Sequence, residues 1–209
     1  SIVCTPAHKF HTLDLKGNVT LKPIGEMSIG DTCLFATLGT APVPTIPDDI
    51  SYLLGYYWAN GYDAYGIMKA TGQPRTKGCQ ITLPTTEYGN AIREQLETIL
   101  NEHKVTYRIV PGDGACVKIK LAKREGDWLT SWVGAKGKSS SIKFPYGVNI
   151  IPFIAGFFNG NGSWRSTKTG PKFSSTSEEM LESIKLYLMD LGIPSKLIKA
   201  LRPNGWRPL

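Results

Sequence analysis

Cysteine is sparse and poorly spaced for chemistry: Cys4, Cys33, Cys79 and Cys116 are scattered, with no CxxC pair among them. That spacing excludes the usual zinc-ribbon arrangements, and four isolated thiols fit a reducing compartment, so an intracellular location (cytoplasm, nucleoid or nucleus) is expected. Long hydrophobic runs are also missing. No apolar stretch approaches the ~20 residues that cross a bilayer, and nothing reads as a signal peptide. Acidic residues are outnumbered, 17 against 24 basic ones, for a net charge of +7. The excess is concentrated between Lys104 and Lys143, where only Asp113, Glu125 and Asp127 oppose a run of lysines and arginines. A solvated surface and a nucleic-acid footprint both fit that run. The 209 residues suffice for one large domain or two small ones.

What is present is a repeat. Leu54-Gly55-Tyr56-Tyr57-Trp58-Ala59-Asn60-Gly61 and Ala155-Gly156-Phe157-Phe158-Asn159-Gly160-Asn161-Gly162 follow one pattern of glycine, bulky apolar residues, a small residue, an asparagine and a closing glycine. On a helix, Gly55 and Ala59 share a face, as do Gly156 and Gly160. Small residues at that spacing let two backbones approach closely. Gly61 and Gly162 suit the left-handed residue that ends many helices. Two such helices side by side would bring Asn60 and Asn161 together. Each copy is followed by β-like stretches and an amphipathic helix, so a whole unit repeats.

Along the chain, residues 1–40 read as a β-rich segment, with short strands at Ile2-Val3-Cys4, Leu13-Asp14-Leu15 and Cys33-Leu34-Phe35 and a turn at Lys16-Gly17-Asn18. A Pro-rich linker at 41–48 follows. The first unit spans 49–135. Its motif helix, 49–61, is capped by Asp48 or Asp49; strands are expected at 64–70, 78–84, 105–110 and 115–122, and helices at 85–103 and 127–133. Within 115–122, Val117, Ile119 and Leu121 alternate with Lys118 and Lys120, giving one apolar and one cationic face. Residues 136–147 read as a flexible basic linker. The second unit, 148–209, holds a motif helix at 149–162, strands at 163–168 and 171–176, and a helix from Ser177 to about 191. Met180, Ile184, Leu188 and Leu191 form that helix's core stripe. A last strand at 195–201 leaves this unit shorter than the first.

These motifs resemble the LAGLIDADG homing endonucleases over about 50–209, in the single-chain, two-motif form associated with inteins. The second copy is the sharper match, from Phe153-Ile154-Ala155-Gly156-Phe157-Phe158 through Gly162-Ser163 to Ser175-Thr176-Ser177. Thr5-Pro6-Ala7-His8 resembles the TxxH block of intein splicing domains, so Thr5 and His8 are the intein-like positions, and Ile24 to Asp31 resembles the segment after it. An upstream splicing nucleophile block and a terminal His-Asn pair are not found, so splicing by this chain alone is not expected. The resemblance implies an α+β fold: two pseudo-symmetric αββαββα-type units forming a DNA-binding saddle, preceded by the small β-rich segment. It also implies a monomer that takes double-stranded DNA with a long specific target site, and no membrane.

The family cuts both DNA strands by metal-assisted hydrolysis, which implies Mg²⁺ (or Mn²⁺, with Ca²⁺ as a substitute that does not support cutting) held by the last acid of each motif. Carried over, those positions are Asn60 and Asn161. Both are amides, which keep the shape and one carbonyl oxygen but lose the charge. Losing one preorganised charge-stabilising group can lower a rate by ~10²–10³, so a chain lacking both is expected to be disabled. A paired exchange that leaves DNA bound and uncut, or decay to a non-catalytic DNA-binding relic, would each explain the amides; a remnant of a protein-splicing module is a third reading. Asn159 stands at the earlier acid of the motif, and Asp63 lies close enough to compensate in part. Lysines assisting at the scissile phosphates would be Lys118 or Lys120 in unit one and Lys196 or Lys199 in unit two. DNA contacts are expected from Arg75, Gln80, Thr82, Lys118, Lys120, Lys136, Lys138, Arg165, Lys168 and Lys172, with Gln73 and Ser174 as further candidates, since a two-stranded ribbon fits the major groove.

Overall fold

A computed structural model of the chain describes residues 5–13, 18–33, 44–67, 74–134, 136, 142–164 and 170–198. It divides into two compact units, Ser1–Ala41 and Pro42–Leu209. The smaller unit is an antiparallel sheet, β1 (Lys9–Leu13), β2 (Val19–Pro23) and β3 (Thr32–Cys33), in the order β2-β1-β3. Thr12 is buried and its hydroxyl meets that of Thr20 at 3.0 Å, which satisfies a polar side chain inside a thin sheet. β1 begins earlier than the expected strand at 13–15, because few apolar residues mark it. The expected strand at 2–4 lies outside the described residues.

In the larger unit α1 (Asp48–Asn60) runs directly into β4 (Gly61–Ile67) and β5 (Pro74–Pro84). Next come α2 (Glu87–Glu102), β6 (Arg108–Pro111), β7 (Cys116–Ala122) and α3 (Lys123–Ser131). The four strands form one antiparallel sheet in the order β4-β5-β7-β6. Pairing of Ile81 with Ile119, Cys79 with Leu121 and Leu83 with Val117 collects the apolar residues on one face. Ile92, Leu96, Ile99 and Leu100 of α2 belong to the same core. Thr86 caps α2 by accepting from the amide of Gly89 at 3.1 Å. α3 starts four residues before the expected 127 because Lys123 follows β7 without a loop.

The remainder is α4 (Ile150–Asn161), β8 (Gly162–Trp164), β9 (Pro171–Phe173) and α5 (Glu178–Asp190). Ser177 caps α5 through the amide of Met180 at 3.2 Å. Of the expected core stripe, Met180 and Ile184 are buried, but Leu191 is exposed. The chain turns away at Gly192 (φ 73°), where the amide of Ile193 closes on the carbonyl of Leu188. Residues 195–198 are irregular rather than a strand, following Pro194, which has no N–H to give a ladder. Among the described residues no helix is long and apolar enough to cross a membrane.

Candidate nucleic-acid interface and helix seam

α1 and α4 pack against each other along their glycines. A Cβ on Gly55 would stand 2.0 Å from the carbonyl oxygen of Phe153, and one on Gly156 would stand 2.1 Å from that of Tyr52. The two contacts are reciprocal: each helix sets its glycine against a carbonyl on the other. A Cβ on Gly160 would meet the Cβ of Ala59 at 2.3 Å. No larger residue fits these places, so the small-residue spacing has a steric cause. Around the glycines lie Tyr52, Leu53, Tyr56, Tyr57, Phe153 and Phe157, all buried.

Polar groups tie both ends of the seam. At the N-terminal end Asn149 caps α4, and its Nδ2 donates to Asp48 at 2.7 Å. Its amide donates to the buried Ser51 hydroxyl at 2.9 Å. Neither Asp48 nor Asp49 caps α1: the N-cap position is Pro47, and the two acids sit in the first turn, where the helix dipole favours them. Toward the C-terminal end, Asn159 is a bridge. Its Nδ2 donates to Tyr52 of α1 at 2.7 Å and its Oδ1 accepts from Tyr88 of α2 at 2.7 Å. An amide can do both at once; a carboxylate cannot donate.

Asn60 and Asn161 are the last residues of α1 and α4, and both are half-buried. Asn60 reaches across the seam, with Nδ2 3.4 Å from the carbonyl of Gly160 and 3.3 Å from the Tyr56 hydroxyl. The backbone carbonyl of Asn161 accepts from the amide of Ser174, just past β9, at 3.1 Å. The closing glycines do not take the left-handed conformation. Gly61 (φ −92°, ψ 162°) and Gly162 (φ −86°, ψ 161°) are extended, since each helix passes straight into a strand. Glycine is needed there for room. A Cβ on Gly61 would stand 2.0 Å from the Tyr57 ring, and one on Gly162 would stand 2.2 Å from the Phe158 ring.

The polar face of the four-stranded sheet lies opposite the core. Register sets Tyr62 beside Gln80, Gln80 beside Lys120, and Lys120 beside Arg108, with Thr82 beside Lys118 in the adjacent row. Opposed residues of an antiparallel pair share a face, so Gln80, Thr82, Lys118 and Lys120 form one patch. Tyr62 and Arg108 join it, two residues that alternation within single strands did not select. Tyr62 donates to Gln80 Oε1, and Lys118 pairs with the fully exposed Asp113 at 3.1 Å. Arg75 lies on β5, and Lys172 is exposed on β9 opposite Ser163. Ser174 and Lys196 are exposed too. Lys138, Arg165, Lys168, Lys199 and Gln73 lie outside the described residues. In the smaller unit Thr5 and His8 are exposed, joined by the His8 amide donating to the Thr5 carbonyl at 3.0 Å.

Lys136 corrects the expectation of a solvated linker lysine. It is 7 % exposed, and its Nζ donates to the carbonyls of Tyr57, at 3.0 Å, and of Gly61. It also lies 5.6 Å from the centre of the Tyr57 ring. Burial holds its ammonium down at about 8, against the opposing pull of the Asp63 carboxylate. Tyr57 donates its hydroxyl to Asp63, and burial first, then nearby negative charge, drives the phenol upward. Burial, with the charge of Asp63, pushes the Cys79 thiol up to about 12. Asp63 thus serves a tyrosine and a lysine under the end of α1.

The donor set does not suit a hard divalent cation. Such an ion needs anionic oxygen at the helix ends; both positions carry amides, and the Asn60 amide is engaged as a donor. Among the described residues no three His, Cys, Asp or Glu side chains gather as a metal site.

Residues 150–209 match the family model described as a LAGLIDADG-like domain. No curated protein matches the chain. Among solved structures, a variant of I-DmoI bound to its target DNA, nicked in the coding strand and with manganese, is 18 % identical; the match covers 70 % of this chain and 78 % of that one, with a TM-score of 0.51. The LAGLIDADG meganuclease I-AabMI bound to uncleaved DNA is 12 % identical over 73 % of this chain and 75 % of its own, at a TM-score of 0.48. I-GzeII, a LAGLIDADG homing endonuclease in complex with its DNA target, is 15 % identical over 69 % and 72 %, at 0.38. Other I-DmoI structures contain DNA with calcium, or its target DNA in the presence of magnesium.

Proposed function

We propose that this chain, which carries a LAGLIDADG-like domain on the fold of the homing endonuclease I-DmoI, binds a long specific site on double-stranded DNA and, as it stands, does not cut it. The observation that carries this reading is the pair of amides, Asn60 and Asn161, at the ends of the two seam helices. Mg²⁺ or Mn²⁺ bound at such helix ends would activate water and stabilise the leaving oxygen. These side chains lack the charge to hold it there.

The binding half of the activity needs no acid. Lys118, Lys120 and Arg108 supply positive charge on the exposed sheet face, where phosphates would position the duplex. Gln80 and Thr82 on the same face carry donors and acceptors that base edges recognise. Arg75 of unit one and Lys172 of unit two we read as further DNA contacts, with Lys138, Arg165 and Lys168 completing the set from sequence. We read the two motif units as pseudo-symmetric halves of one saddle, acting as a monomer inside the cell. Thr5 and His8 we read as kinship of residues 1–40 with intein splicing domains.

Selection of bound duplexes from a randomised library, followed by a salt titration of the winning site, tests the reading. The expected result is one extended sequence, with affinity falling linearly in log salt as released counterions require. Binding of every duplex alike would oppose it.

A further inference from the structure

The end of α1 is held by a residue from outside the repeat. Lys136 comes from the segment that joins the two motif units, and its ammonium sits under the last turn of α1. A helix C-terminus leaves carbonyls without partners and carries partial negative charge, so a cation there is favourable twice over. The two carbonyls it takes, Tyr57 and Gly61, bracket Asn60. Gly61 in turn donates its own amide to the Tyr57 carbonyl. Asp63, which Tyr57 also reaches, supplies the compensating negative charge. The end of α4 has the same backbone closure, Gly162 amide to Phe158 carbonyl, but among the described residues no cation reaches it.

We propose that Lys136 is a positioning residue, which locks the peptide presenting residue 60 and so makes the two helix ends inequivalent, one anchored by Lys136 and the other, among the described residues, without such a cation. The lock explains why a lysine is buried where the flanking sequence reads as a solvated linker. It also ties the connection between the units to the geometry of one candidate centre. The lock itself stands on contacts alone; its consequence for DNA rests on the proposed function.

Amide hydrogen exchange on the full chain tests the lock, with Gly162 as an internal control for Gly61. Substituting Lys136→Met keeps the apolar stem and removes all donors. Exchange at Gly61 should then accelerate about 10-fold or more, the size expected for a charged hydrogen bond, while Gly162 changes little. Lys136→Gln, which keeps neutral donors, should lie between the two, and decides the matter if the methionine variant does not fold. Equal acceleration at both glycines, or none at Gly61, overturns the proposal. For the consequence, Lys136→Met is placed in the Asn60→Asp, Asn161→Asp chain with Mg²⁺ and a duplex labelled separately on each strand. One strand should slow about 10-fold more than the other, the same loss expressed as a rate, so that nicked duplex accumulates; equal slowing of both contradicts the inequivalence. If the restored chain cuts nothing, the nuclease ancestry fails, and the exchange result still decides the role of Lys136.

Discussion

Asn60 donates from Nδ2 to the carbonyl oxygen of Gly160, 3.4 Å away on the opposite helix. An aspartate at 60 could only accept, and would face that carbonyl with like charge. Asn60→Asp alone, with no divalent cation, should lower stability by about 1 kcal/mol, read from the midpoint of urea unfolding. Added Mg²⁺ should restore part of the loss in the Asn60→Asp, Asn161→Asp chain and leave the parent's midpoint unchanged.

The glycine seam is the least forgiving part of the fold. Gly55→Ala and Gly156→Ala each set a Cβ about 2 Å from a backbone carbonyl of the facing helix. Each should destabilise by about 3 kcal/mol or more, the upper range for overpacking, because a carbonyl cannot swing aside as a side chain can. Gly160→Ala should cost a comparable amount, because the Ala59 Cβ it would meet at 2.3 Å is fixed to its own backbone. Urea midpoints of the three variants measure the losses.

Asn159 stands at the earlier acid of the motif, and its amide joins Tyr52 to Tyr88. Asn159→Ala removes both interactions and should lower stability by about 1–2 kcal/mol. Asn159→Asp should cost less, because the Tyr52 hydroxyl can turn and donate to the carboxylate as Tyr88 does. Thermal melts of the pair distinguish a structural amide from a permissive one.

Alkaline pH should stabilise this protein over a narrow window. Lys136 titrates at about 8 when folded and at its ordinary 10.5 when unfolded, so between those values the unfolded chain binds more protons and stability rises with pH. Cys79 acts in the opposite sense: its thiol is pushed from 9.0 to about 12, so above 9 the unfolded chain releases a proton that the folded chain keeps, and stability falls. The rise is therefore confined to about pH 8–9 and amounts to roughly 0.5–1 kcal/mol. Chemical denaturation at pH 7.5, 8.5 and 9.5 follows it, and Lys136→Met should flatten it.

Legibility in the sequence followed the reach of each interaction. The seam was readable because its steric demand is local: Gly55 with Ala59 and Gly156 with Gly160 each declare a face within one turn. Cap chemistry depends on short-range hydrogen bonds, so Ser177 marked the start of α5, and α2 and α4 began within two residues of the expected places although their caps, Thr86 and Asn149, were not singled out. Strand alternation showed the cationic face of β7, but only register adds Tyr62 and Arg108 to it. Lys136 could not be read at all. Its partners at 57, 61 and 63 are distant in sequence, and a lysine between Ala135 and Gly137, ahead of Lys138 and a run of serines, has every local mark of a solvated linker. The closing glycines misled for a related reason: the strand that follows, rather than the helix, sets their φ.

Lysines on the exposed sheet face should act as phosphate contacts. Lys120→Gln should weaken DNA binding uniformly across sequences and reduce the log-log salt slope by about 1. Gln80→Ala should leave the slope unchanged and relax preference at one or two base pairs. Binding titrations at several salt concentrations on two duplexes separate the two behaviours.

The central claim is that the two helix-end amides alone withhold cutting from a DNA-binding scaffold. A cleavage selection on a randomised duplex library with Mg²⁺, run on the parent chain and on the Asn60→Asp, Asn161→Asp chain side by side, tests it most directly. The account predicts that the parent binds and leaves every duplex whole, while the double substitution cuts both strands at one long sequence. Cutting by the parent, or binding by both with cutting by neither, would contradict it.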